Sequence, residues 1–356
     1  MATQRLAGAP LATPTDAVRL LCAVQAQDNP LASWSLAMRS RARTLTEVRA
    51  DQARGGFVRV HALRPTWHLV ASEDLRWIQR LTGPAVLRGM AGRHRGLGLD
   101  DATVARAMAA LEGALAGPTP LSRRELTPLL DPGEGALRGQ RVGHLLATAE
   151  FLGLICSGPP DGATHTYALV DEVVAAHPDD EMPRDEAIAR LVMRFFHGHG
   201  PASDRDMARW CSLTLTEVRA GIGTVGRALE SFDLDGETLW FDPSAKAVAR
   251  SAPAAMLLPT FDEAALTHRT TGFPRACAEA DRRRLVAEQG GGIVVVGTTD
   301  VGTFTRSVDR GTVRVTIRRE RELDDAERDA VARAAGDLAA FHEGTLALDV
   351  AGPRGG

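Results

Sequence analysis

The chain has 356 residues, 44% hydrophobic and 24% charged, with a net charge of -3. That is enough for two or three domains with sizeable cores, in the composition range of soluble globular proteins. No apolar run is long enough to span a membrane, and Met1-Ala2-Thr3-Gln4-Arg5 lacks a signal-peptide core. Cys22, Cys156, Cys211 and Cys277 lie far apart with no Cys-x-x-Cys pair, so neither zinc nor a disulfide framework is expected and a cytoplasmic protein with reduced thiols is.

Charge is unevenly spread. From Trp34 to Arg95 there are twelve arginines against four acids, Glu47, Asp51, Glu73 and Asp74. A basic segment on an acidic chain is the footprint of a phosphate-contacting face. Lysine occurs once, at Lys246, so arginine is the default cation here; codon bias explains that identity better than it explains the clustering.

Helices are expected over Thr15–Gln25, Leu31–Arg39 and Thr46–Arg54, then a strand pair, Phe57–Leu63 and Thr66–Val70, turning at Arg64-Pro65. The first helix closes on Val24-Gln25-Ala26-Gln27, followed by Asp28-Asn29-Pro30. On an intact helix, residues two apart point to nearly opposite sides, so both glutamines serve one site only if the helix ends there, as Pro30 suggests. A glutamine amide is no base near neutral pH, but it can hold a water or a cationic group. The same residues suit an ordinary polar helix end.

Ser72–Leu81 is expected to be helical. A helix over Arg123–Leu130 starts on the capping box Ser122/Glu125, and a second runs from Gln140 to Leu152. Strands Leu154–Ser157 and Thr164–Val170 follow, the helix-turn-helix and β-wing order of a winged helix. The order repeats with helices Asp185–His197, Asp204–Cys211 and Leu215–Gly221, then strands Ala228–Phe232 and Glu237–Phe241 about Asp235-Gly236. The first 98 residues read as a more divergent copy. Beyond residue 250, short strands (Met256–Leu258, Gly292–Gly297, Thr303–Ser307, Thr312–Ile317, Thr345–Asp349) and a helix, Asp324–Phe341, suggest a small barrel or curled sheet. Residues 351–356 read as a tail.

Gly221-Ile-Gly223-Thr-Val-Gly226 spells G-x-G-x-x-G, but a helix precedes it, so these glycines read as a helix end rather than a dinucleotide site. His197-Gly198-His199 lacks partners at metal-ligand spacing and reads as structural. Thr66 and His68 alternate with Trp67 on the first wing, as a face for DNA or as ordinary sheet residues. Thr267-His268-Arg269-Thr270-Thr271-Gly272 fits a groove-probing loop or a solvated one.

Together these motifs resemble the AlkZ/YcaQ-like winged-helix DNA glycosylases. The matching residues are Gln25-Ala26-Gln27, Arg64, Thr66 and His68, His199-Gly200-Pro201-Ala202, Asp206, Arg209-Trp210, Leu257-Leu258-Pro259-x-Phe261-Asp262-Glu263, and Gly302-Thr303-Phe304 with Arg306. The Gln-apolar-Gln form is that of the AlkZ-like branch. The chain departs from the family at His268 and Thr270-Thr271, and in having Phe304 where Trp is usual.

The resemblance implies an α+β chain of three tandem winged helices (1–98, 99–182, 183–250) in a C-shaped array, with a β-barrel-like domain at 251–350. It implies a monomeric, cofactor-free glycosylase that hydrolyses the N-glycosidic bond of bulky or crosslinked N7-alkylguanine in duplex DNA, for repair or self-resistance to genotoxic natural products. Gln25 and Gln27 are the expected catalytic pair. Arg39, Arg59, Arg64, Thr66, His68, His268 and Arg269 are the expected DNA contacts. A non-catalytic winged-helix DNA binder or transcription regulator is the alternative.

Overall fold

The computed structural model describes residues 1–117, 119–133, 135–159, 164–245, 254–268 and 290–352. In chain order the helices and strands are α1 (Pro14–Leu21), β1 (Ala23–Gln25), α2 (Asn29–Arg39), α3 (Leu45–Ala53), β2 (Phe57–His61), β3 (Trp67–Ala71), α4 (Leu75–Gly96), α5 (Asp101–Leu115), β4 (Leu121–Ser122), α6 (Arg123–Leu130) and α7 (Arg138–Phe151). There follow β5 (Ile155–Ser157), β6 (Thr166–Leu169), α8 (Val170–Val173), α9 (Arg184–His199), α10 (Asp204–Cys211), α11 (Leu215–Val225), β7 (Glu230–Leu234), β8 (Glu237–Phe241), β9 (Ala255–Pro259), α12 (Glu263–Leu266), β10 (Gly291–Val296), β11 (Thr299–Asp309), β12 (Thr312–Arg319), α13 (Asp325–Phe341) and β13 (Thr345–Ala351). The chain is a mixed α+β protein. No helix among the described residues is long and apolar enough to cross a membrane.

Two compact units divide the chain, one of residues 1–52, 193–206 and 227–356, the other of 53–192 and 207–226. In the first, the sheet order is β13-β12-β11-β10-β9. Four of its strands are antiparallel neighbours, and β13 joins parallel to β12 after the crossover helix α13. Helix α13 packs on β9, β10, β12 and β13 through Val331, Ala335 and Leu338 at helical spacing. The expected barrel is thus, among the described residues, an open five-stranded sheet. Alternating apolar positions announce strands but not closure, which depends on pairing between the edge strands.

In the second unit, Leu111, Leu126, Leu145, Leu146 and Ile155 form a core between α5, α6, α7 and the β4-β6-β5 sheet. The Ser122/Glu125 capping box forms as expected. In α11, a side chain at Gly221 would collide with Val192 and Ile188 (2.7 and 2.8 Å), and Gly226 ends the helix at φ 57°. The G-x-G-x-x-G string therefore serves helix packing and termination.

The second unit also buries a carboxylate. Glu150 on α7 is 0% exposed, and its Oε2 is hydrogen-bonded to His61 Nδ1 at the end of β2. Removing one member of such a pair leaves a charge without its partner, at a cost of about 3–5 kcal/mol. We expect His61→Leu to lose about that much unfolding free energy in urea titrations. The double variant His61→Leu/Glu150→Leu should recover most of it. Equal stabilities of the single and double variants would show that the pair is not what holds α7 to β2.

Candidate active site

The structure corrects the first helix. Helix α1 stops at Leu21 instead of continuing to Gln25, because Cys22 takes a left-handed φ of 64° and the chain restarts as strand β1. Gln25 closes the strand and Gln27 follows in a bend, so the two are not on one helix and the objection that they diverge there disappears. Ala26 between them is fully buried. Gln25 is 7% exposed and lines a tight recess of about 10 Å³ with Asp28, Ser35, Thr260 and Gly290; Gln27 lies at the bend beyond. The Gln27 Oε1 atom is buried and accepts no hydrogen bond from the described residues.

Both ends of this segment are clamped. The Gln25 backbone N–H donates to Glu263 Oε1 at 2.9 Å, and Glu263 is 0% exposed. Asp28 caps α2 by accepting from the Leu31 N–H at 3.0 Å, and Arg306 Nη2 lies 3.4 Å from both Asp28 carboxylate oxygens. Burial lowers the Arg306 pKa from its ordinary value, against the opposing pull of Asp28.

The turn into β1 has its own clamp. His199 Nε2–H donates to the Leu21 carbonyl at 2.9 Å, which leaves Nδ1 as the acceptor facing Gln4 Nε2 (3.3 Å) and Thr267 Oγ1 (3.1 Å). The Phe195 ring stacks on it at 4.9 Å, and a side chain at Gly198 would sit 2.2 Å from the Leu20 carbonyl. His199 and Gly198 thus serve the packing of α9 on α1, and His197 Nδ1 lies 2.8 Å from Asp242 Oδ2. Among the described residues, no group of three or more His, Cys, Asp or Glu is placed to hold a metal.

Arg39 requires a second correction. It is 0% exposed, and all five of its N–H donors are used within the first unit. Nη1 and Nη2 fork onto the two Asp262 oxygens at 2.8 Å, while the rest reach Gln4 O, Gln4 Oε1 and Ser35 O. No donor is left for a phosphate, so Arg39 is the counter-ion of a buried carboxylate rather than a DNA contact. Burial alone would raise the Asp262 pKa, but the Arg39 charge and the hydrogen bonds from Arg39 and Ser35 hold it below the usual carboxylate range.

Of the C-terminal expectations, His268 is half-buried just after α12, while Arg269 and Thr270-Thr271 lie outside the described residues. Phe304 is a core residue at 0% exposure. It presses on Gly292, where a Cβ would come within 2.7 Å of its ring.

In the second unit, the β2–β3 hairpin gathers Arg59, Arg64, Thr66 and His68. His68 is 0% exposed; its Nδ1–H donates to the Thr66 carbonyl at 2.9 Å, and its Nε2 faces Arg64 Nη2 at 3.4 Å. Burial and the Arg64 charge push its pKa well below the usual histidine value. Arg59 is 7% exposed, with its guanidinium 3.9 Å from the Trp67 ring centre. Arg59 and His68 therefore support the hairpin from beneath; Arg64 and Thr66, both half-buried, flank the exposed Pro65 at its tip, and the Thr66 Oγ1 is buried without a partner among the described residues. His165 packs edgewise on Tyr167 and at a tilt on Trp67, and burial followed by the Arg59 and His61 charges lowers its pKa to about 4.

A family model described as DNA glycosylase AlkZ-like matches residues 18–341. The chain belongs to the AlkZ-like DNA glycosylases. It is similar to the interstrand DNA cross-link repair glycosylase of Streptomyces sahachiroi, at 26% identity over 260 residues, 70% of each chain. Its fold is similar to that of the solved Streptomyces sahachiroi DNA glycosylase AlkZ, with a TM-score of 0.77 at 23% identity, over 99% of this chain and 97% of that one. Within this glycosylase, Glu263, Asp262 and Arg306 stand in motifs visible in the sequence, but their partners, Gln25, Arg39 and Asp28, lie more than 220 residues away.

Two outcomes follow. Arg39→Met should destabilise the glycosylase by about 3–5 kcal/mol in urea titrations and leave the salt dependence of DNA binding unchanged; a shallower salt slope would restore Arg39 as a phosphate contact. His165, like His342 at about 4, is held neutral by the fold, whereas the unfolded side chain titrates near 6.5. Their contribution to stability is complete above pH 6.5 and lost as pH falls from 6.5 towards 4. Urea unfolding at a series of pH values should show this decline, and His165→Phe should flatten it.

Proposed function

We propose that this glycosylase hydrolyses the N-glycosidic bond of N7-alkylguanine in duplex DNA, acting on bulky or crosslinked adducts in repair or self-resistance. The observation that carries the reading is the Gln25-Ala26-Gln27 segment, released from helix α1, clamped on either side, and bearing a buried amide oxygen at Gln27 with no protein partner among the described residues. The similarity to a glycosylase described as acting in interstrand cross-link repair supports the substrate class. In this reading the helix–helix–hairpin runs ending at β3, β6 and β8 are three winged-helix modules, and the enzyme works as a monomer.

Alkylation at N7 makes the purine cationic. The C1′–N9 bond breaks with its electron pair moving to N9, which neutralises the purine and leaves an oxocarbenium-like sugar. A water then forms the new C1′–O bond and releases its proton to solvent. Such a reaction needs a placed water and negative dipole at the developing cation rather than a strong base. The side-chain oxygens of Gln25 and Gln27 supply both. An unmodified purine leaves poorly, so a weak catalyst discriminates against normal DNA. Arg64 and Thr66 of the first hairpin, with His268 and Arg269, are the proposed DNA contacts.

The test is single-turnover base release from duplexes carrying N7-methylguanine, a bulky N7 adduct or an N7–N7 crosslink. The double variant Gln25→Ala/Gln27→Ala should lose about 10²-fold or more in rate while keeping its affinity for DNA. If the wild-type protein releases no base from any of the three, the catalytic reading fails and the non-catalytic DNA-binder reading takes its place.

A further inference from the structure

We propose that the C-terminal half of α4 is a dedicated contact for the DNA sugar–phosphate backbone, separate from the first hairpin. The inference rests on DNA being the substrate. Helix α4 is two helices in character. Its first half buries Leu75, Trp77, Ile78, Leu81 and Val86. Its second half, past Val86, half-buries Leu87, Met90 and His94 along one side and exposes Arg88, Gly89, Gly92, Arg93, Arg95 and Gly96.

The allocation of charge separates these arginines from many others of their unit. Arg76 pairs with Asp171 and Asp180, Arg80 with Glu181, Arg141 with Asp131, Arg184 with Glu217, and Arg190 with Asp179. Arg88, Arg93 and Arg95 have no carboxylate partner among the described residues, and no acid occurs between Leu75 and Leu99. Arg93 is steered sideways by donating to Gln140 Oε1 at the start of α7. Three unneutralised guanidinium groups within eight residues are a phosphate-attracting surface.

The glycines between them carry the second argument. Glycine inside a helix is destabilising and normally persists where a neighbour packs closely. Here nothing lies within 4 Å of a Cβ built at Gly89 or Gly96, and only the Arg95 guanidinium, at 3.9 Å, approaches one at Gly92. No packing against the described residues calls for them. Arg88, Gly92 and Arg95 stand at i, i+4 and i+7, one stripe of the helix. The stripe therefore presents bare backbone between two cations about 10 Å apart along the axis. A strand of duplex DNA offers a phosphate every ~3.4 Å of axis, so the two cations meet different phosphates while the glycines let the backbone approach the helix closely. The β7–β8 hairpin makes the contrast: Glu230, Asp233, Asp235 and Glu237 cluster there, a charge that repels the same partner.

The test measures binding of an undamaged duplex by fluorescence anisotropy between 50 and 200 mM KCl, beside base release from N7-methylguanine DNA at saturating protein. Arg88→Ala/Arg95→Ala should reduce the slope of log K against log salt by about 2, weaken damaged and undamaged duplexes equally, and leave the single-turnover rate unchanged. Gly92→Leu should raise thermal stability while weakening DNA binding several-fold. Wild-type slope and affinity in both variants would overturn the proposal, including in favour of an acidic protein as the occupant. Loss of the slope with no base released by any form would keep this surface and reject the catalytic reading instead.

Discussion

The hydrogen bond from His199 to the Leu21 carbonyl governs the architecture of the candidate centre. Helix α1 must end and β1 begin within one residue, and Cys22 takes up the change at φ 64°. A left-handed conformation costs a non-glycine residue about 1–2 kcal/mol, so the surrounding structure has to impose it. It does so from three sides. His199 satisfies a carbonyl that the helix end would otherwise leave without a partner, Gly198 allows α9 to approach α1 closely, and Glu263 fixes the last residue of the new strand through the Gln25 N–H. The string read as structural holds, through Gly198 and His199, the turn at which helix α1 gives way to β1.

Behind that turn lies a continuous buried polar network. Glu263 and Thr267 lead to His199, then to Gln4, Arg39, Asp262 and Ser35. Inside a protein such networks are costly when one member is unmatched and rigid when all are matched. Arg39 shows the matched case, with five donors and five acceptors. This also limits what a charge count can say. Twelve arginines in one segment read as a single basic face, yet Arg39 and Arg59 are buried and Arg76 and Arg80 are paired. The free charge concentrates in a few places, the end of α4 among them.

Local signals were legible in the sequence and non-local ones were not. The Ser122/Glu125 box, helix Asp204–Cys211 and the strand beginning at Glu237 after Asp235-Gly236 are set by near neighbours, and each stands where the sequence places it. The end of α1 was misread because Val18–Val24 is apolar enough to continue a helix; what stops it is a histidine from α9. Helix α5 gave little signal, since its buried stripe is only Ala107, Leu111 and Leu115. Arg39 and Asp262 are each visible as motif residues, but nothing local says that they neutralise one another.

The same distinction bears on why amides rather than carboxylates would do the chemistry. Glu263 is the acid nearest to the proposed pair in the hydrogen-bond network, and a carboxylate would be the stronger base. Its Oε1 is held by the Gln25 backbone and its Oε2 lies 3.5 Å from Thr267 Oγ1, deep in the interior. It can orient the strand but has no path to a water at the sugar. Asp28 is likewise engaged, by the N-terminus of α2 and by Arg306. With both carboxylates tied to structural partners, the buried acceptors left without a donor among the described residues along this segment are amide oxygens, those of Gln27 and Asn29. An uncharged acceptor there imposes no penalty when an already cationic nucleobase departs as a neutral one. It also spares the site a second buried negative charge that would itself need a counter-ion.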